Sequence, residues 1–122
     1  MYSGKLRISS FEEDGVELMA QTAAFNIGQI IRHIKHDYRG VIVDIDPVFS
    51  ATDDWYRLNA LSKPPKDKPW YHVLVDDGDL QTYVAEQNLR ADDSDAPINH
   101  PYVDLFFSGF YQDHYIRRQQ VN

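Results

Sequence analysis

Residues 41–47 read Val41-Ile42-Val43-Asp44-Ile45-Asp46-Pro47, the clearest strand in the chain. Side chains alternate across a strand, which predicts Val41, Val43 and Ile45 on one face and Ile42, Asp44 and Asp46 on the other. Pro47 ends it, because proline has no N–H to give a ladder. Upstream, Asn26-Ile27-Gly28-Gln29 is a turn signal, and the β-branched run Ile30–Ile34 predicts a second strand. Lys35–Gly40 joins the two as a turn, with Gly40 expected to supply a positive φ. Downstream, residues 48–69 form a long connection rich in Asp, Lys and Pro, the kind of loop that carries function. Within it Asp53–Leu61 predicts a short helix capped by Asp53. Trp70–Val75 and Leu80–Val84 are two more strands around the Asp76-Asp77-Gly78-Asp79 turn, and Ala85–Leu89 a single helical turn. Short strands separated by turn signals predict a mainly β fold, a small barrel.

The flanks differ in kind. Residues 91–97 read as a polar linker. Pro101 suits the first turn of a helix, and Tyr102, Leu105, Phe106 and Phe110 have helical spacing, so a C-terminal helix is expected. Residues 11–24 also admit a short amphipathic helix. The resulting division is an N-terminal extension (1–24), a core domain (25–90) and an acidic linker with a helix (91–122).

The chain has 122 residues, enough for one domain. Lys plus Arg is 12 against 19 Asp plus Glu, a net charge of −7 that argues against a protein built to coat nucleic acid or anionic lipid. With no cysteine there are no disulfides, no thiol catalysis and no cysteine-ligated zinc. No apolar run approaches the ~18 residues of a membrane span, and the N-terminus lacks a signal-peptide core, so a cytoplasmic protein without membrane partners is expected.

Four blocks in order carry a family pattern: Gly28-Gln29-x-x-Arg32-His33, Tyr38-x-Gly40-Val41-x-Val43-Asp44-x-Asp46-Pro47, Pro69-Trp70-Tyr71-His72-Val73 and Tyr83-Val84-x-Glu86-x-x-Leu89. The chain resembles the HspQ family, whose domain is also called YccV-like or hemimethylated-DNA-binding. The resemblance implies an SH3-like β-barrel and a cytoplasmic heat-shock protein without catalytic residues or cofactors. It also implies two activities. One is modulation of protein degradation, by stimulating a Lon-type protease and hastening loss of a defective replication initiator. The other is binding of hemimethylated DNA near replication origins.

Arg32, His33, Lys35, His36 and Arg39 are the densest basic run and the candidate DNA contacts, giving at most a weak, salt-dependent footprint. His33 and His36 would point to opposite faces of a strand unless a turn intervenes, so no metal site is expected there. Asp44 and Asp46 share a face and could serve a hydrolase with a histidine, but pairing of Asp44 with Arg32 or Arg39 is the expected role. Trp55 and Tyr56 in the long loop, Trp70 and Tyr83 on strands, and Phe106 and Phe110 in the C-terminal stripe are the candidate protein-interaction residues. The aromatic C-terminal segment calls for cover by its own sheet, by a second copy in a homo-oligomer, or by a client protein.

Overall fold

The computed structural model describes residues 22–119. Five strands form an antiparallel sheet: β1 (Ile30–His33), β2 (Arg39–Asp46), β3 (Trp70–Val75), β4 (Gln81–Ala85) and β5 (Leu89–Ala91). Their order is β4-β3-β2-β1-β5. A single 3₁₀ turn, Glu86–Asn88, carries the chain from β4 on one edge to β5 on the other. A flat sheet of this width would separate its edge strands by about 19 Å, whereas Ala85 to Leu89 reaches at most about 14 Å. The sheet therefore curls until its edges approach. Among the described residues no ladder joins β4 to β5, so the hydrogen bonding stays open.

A bulge changes the expected alternation. Ile42 pairs with Val73 and Asp44 with His72, leaving Val43 extra in β2. Val43 packs with Ile30, Val41 and Leu74, whereas Ile45 lies beside Ile31, Ile42, Tyr71 and Val73. Val41 and Ile45 thus fall on different faces, contrary to strict alternation. The bulge leaves Asp44 and Asp46 opposite His72 and Trp70.

The expected C-terminal helix is one turn only, α2 (Val103–Phe106). It runs straight into a hairpin, β6 (Phe107–Tyr111) and β7 (His114–Arg117). Gln112 takes the left-handed conformation at the hairpin turn. Phe107 and Tyr115 both enter the cluster around Val41 and Leu74, and the hairpin brings them there together with Ile98. A helix would have buried the stripe through Tyr102 and Leu105, which are exposed. Gly28 makes the docking possible. Its φ is +93°, a side chain there would run into the Tyr115 carbonyl, and its own carbonyl accepts from Tyr115 N at 2.8 Å. Gly40, by contrast, lies in β2 with no positive φ, and the left-handed turn position is Asp37. The glycine is needed at 40 because a Cβ would come within 2.5 Å of Val73 Cγ1 and 2.7 Å of Leu74 O.

Tyr71 ties the start of the described chain to the 3₁₀ turn. Its hydroxyl donates to Glu86 and accepts from Phe25 N at 3.2 Å, while Glu86 also accepts from Ala24 N at 2.9 Å. Burial, reinforced by Glu86, pushes its phenol pKa upward. Tyr71→Phe is expected to lower stability by about 1–2 kcal/mol without altering the fold, read by urea denaturation with unchanged circular dichroism. The amphipathic helix expected over 11–24 lies almost wholly outside the described residues.

Candidate functional site

The two arginines of the basic run are spent on the protein itself. Arg32 Nε donates to Asp92 Oδ1 at 3.1 Å, and Arg32 Nη1 meets Asp37 Oδ1 at 3.0 Å. Arg39 Nε donates to Asp92 Oδ2 at 2.9 Å and Arg39 Nη1 to Asp76 Oδ2 at 2.9 Å. Neither arginine pairs with Asp44, whose Oδ1 accepts from Ile45 N at 2.9 Å instead. His33 Nδ1 accepts from the backbone N–H groups of both Lys35 and His36 at 3.1 Å. The turn brings the His33 and His36 rings to 4.5 Å, but that Nδ1 lone pair is already taken. Burial first, then His36 and Lys35, hold the His33 pKa below its ordinary value.

The aromatic residues build a cleft of about 600 Å³. One wall is α1 (Asp53–Asn59) with the loop behind it, and the other is the turn after β1. The α1 helix starts at Asp53 as expected and ends at Asn59, two residues short of Leu61, but its cap is Thr52 and not Asp53: Thr52 Oγ1 accepts from Trp55 N at 3.0 Å. Asp53 and Asp54 then sit in the first turn, where carboxylates suit the helix dipole. The floor is Trp70, Val84 and Ala85, which line the cleft yet are buried. Trp55 and Tyr83 rise from it, half-buried, with rings 5.5 Å apart and edge to face. Leu61 at the rim is 81% exposed.

The sequence-derived interaction residues therefore separate. Trp55, Trp70 and Tyr83 line the cleft. Trp70 does so as core, 2% exposed, with its indole N–H donating to Pro65 O. Tyr56 stands behind the cleft wall, its hydroxyl donating to Pro64 O at 2.7 Å and Lys66 lying over its ring. Phe106 and Phe110 belong to the C-terminal hairpin region, where Phe110 packs 4.7 Å from Tyr115. Of the basic candidates, His33, Lys35 and His36 line the cleft, whereas Arg32 and Arg39 do not.

Asp44, Asp46 and His72 do converge, with ligand atoms within 4.8 Å of one another. Asp46 Oδ2 is already engaged: Tyr83 OH donates to it at 2.7 Å, and His72 Nε2 lies 3.1 Å away. Burial, then Asp46, push the Tyr83 phenol up to about 12. The arrangement braces Tyr83 against β2.

Sequence reasoning missed Phe49, Leu61 and His72. Phe49 is the hub of the aromatic cluster, 4.9 Å from Trp70 and 5.3 Å from Tyr56. A lone aromatic in a loop carries no periodic signal. His72 was legible as the partner of Asp46 only through the bulge in β2.

A curled antiparallel sheet with an aromatic-floored cleft, and with the arginines of its basic run neutralised, defines a small β binding domain. The chain belongs to the YccV-like family. The family model described as "Hemimethylated DNA-binding protein YccV like" matches residues 23–114. The chain is also 35% identical over 118 residues to "F-box only protein 21" of Homo sapiens and of Pongo abelii, and 34% identical to that of Mus musculus. Each match covers 90% of this chain and 19% of the relative, so the chain spans about a fifth of the length of the curated relatives it matches. No described helix is long and apolar enough to cross a membrane.

Proposed function

We propose that this chain is a non-catalytic protein-recognition domain of the HspQ type. It modulates protein degradation by engaging a Lon-type protease, or the client bound to it, through the Trp55–Tyr83 cleft. The observation that carries this reading is the contrast between two surfaces. The cleft holds half-exposed aromatic rings ready for a partner, while the arginines that would hold phosphates are locked to Asp92, Asp76 and Asp37. Occurrence of the same domain within longer proteins named for their F-box also fits an attached recognition part. In this reading the curled sheet is a small SH3-like β-barrel, its two edges linked by the 3₁₀ turn and not by a ladder, and the protein works in the cytoplasm. A homo-oligomer covers the exposed Leu105, Tyr111 and Ile116 of the C-terminal region.

The test is degradation of an unfolded substrate by purified Lon-type protease with and without this protein. Faster degradation that Trp55→Ala cuts severalfold, with the variant still folded, supports the reading. Unchanged degradation overturns it. The family description favours a second reading, binding of hemimethylated duplex. It predicts a preference for that duplex that falls steeply with salt, measured by titration at two salt concentrations.

A further inference from the structure

The cleft has a charge character opposite to that of the molecule. The chain carries −7, with 19 acidic residues. Yet no Asp or Glu lines the cleft, and its ionisable lining apart from two phenols is Lys35, His33, His36 and His72. Lys35 and His36 are exposed and head no ion pair among the described residues. Asp46, which His72 and Tyr83 both hydrogen-bond, is not part of the lining.

His33 adds an independent sign of a ligand. It is 6% exposed and lines the cleft beside Lys35 and His36. Because its Nδ1 accepts two backbone N–H groups, its proton sits on Nε2. No described residue accepts from that Nε2–H. A buried donor without an acceptor is costly, and an acceptor supplied from outside would relieve it. At the same end the ammonium of Lys35 and the ring of His36 offer further donors. Elsewhere in the same lining Trp55 and Leu61 offer apolar surface.

Resting on the reading of the cleft as a protein-recognition site, we infer that its ligand is an acidic peptide segment of a partner protein. An apolar side chain lies against Trp55 and Leu61, and a neighbouring carboxylate meets His33 Nε2–H, Lys35 and His36. Charge complementarity commits the cleft to this occupant. A phosphate or a carboxylate of a second copy could meet the same donors, but the two arginines that would extend a phosphate footprint are already paired, and the apolar surface of Trp55 and Leu61 beside the donors suits a peptide side chain.

The probes are a capped hexapeptide with a Leu-Phe centre between paired glutamates, its lysine counterpart, and oligothymidylate. Binding to the full chain is followed by tryptophan fluorescence and calorimetry. The acidic peptide is expected to bind about tenfold more tightly than the lysine peptide at low salt, and the gap is expected to shrink as salt screens it. Lys35→Glu, at an exposed position, should remove most of that preference; Trp55→Ala should weaken both peptides alike. Equal affinity for the two peptides overturns the proposal, as does tighter binding of oligothymidylate. Self-association that Lys35→Glu relieves, without peptide binding, assigns the cleft to a second copy and also overturns it. If protease stimulation depends on Trp55 while no charge preference exists, the recognition reading stands and the acidic ligand falls. If neither peptide binds and Trp55→Ala stimulates normally, both fall.

Discussion

Asp92→Ala is expected to cost about 2–3 kcal/mol of stability, just below the ~3–5 kcal/mol of breaking a fully buried ion pair, because its arginine partners keep some contact with water. Arg32 and Arg39 stand directly opposite one another on β1 and β2. Like charges in that register repel. Asp92, just past β5, places one carboxylate oxygen on each of them, and its side chain is only 3% exposed. Burial raises its pKa, but the hydrogen bonds from Arg39 and Arg32 outweigh that and hold it below the ordinary carboxylate value. The anchor reaches further, because Arg39 also donates to Ala96 O and Asp76 accepts from Asn99 N at 2.7 Å. Losing Asp92 therefore loosens the segment that brings Ile98 into the core. Urea denaturation at constant m-value measures the loss.

Asp92 and His33 together set the response to acid. A carboxylate with a depressed native pKa stabilises the fold above its unfolded value, near about 4, and that contribution is lost as pH falls through the native value. His33 is a base with a depressed native pKa. Its unfolded form binds more protons below about 6.5, so its contribution also falls with falling pH, and earlier. Stability measured between neutral and acid pH is expected to decline in two stages, of which Asp92→Ala removes the second.

Trp70→Ala is expected to cost about 3–5 kcal/mol, a large share of the ~5–15 kcal/mol that holds a domain of this size together. Trp70 packs with Ala60 and Ala85 under Phe49, Trp55, Tyr56 and Tyr83. Its truncation empties the floor of the cleft and strands the Pro65 carbonyl. Trp55→Ala, at a half-buried rim position, is expected to cost far less stability while removing the contact surface. Circular dichroism and thermal melting separate the two variants: Trp70→Ala should unfold at clearly lower temperature, whereas Trp55→Ala should keep its fold and lose its partner. A Trp70→Ala protein as stable as the parent would show that the ring does not fill the core.

Much of the fold is local information. The β-branched and aromatic runs at 30–33, 41–46, 70–75 and 81–85, the Asp-Gly turn between the last two and the tight turn at 86–88 all follow from chemistry within a few residues. The C-terminal segment was misread because its apolar residues satisfy helical spacing and a hairpin alike. Only the docking of Phe107 and Tyr115 on the sheet, through Gly28, chooses between them. The candidate site was legible as a set of residue types, aromatic and basic. Their assignment was not, because it depends on partners distant in sequence. Asp92, read as part of a polar linker, neutralises the two arginines 60 and 53 residues away. One extra residue at Val43 turns Asp46 toward His72 and Tyr83. By itself, then, the sequence determined the first four strands, the turns between them and the family pattern, because these rest on short-range geometry. The tertiary structure alone decided which charges are spent and which remain open in the cleft, because pairing and burial are settled by segments that meet only when the sheet curls.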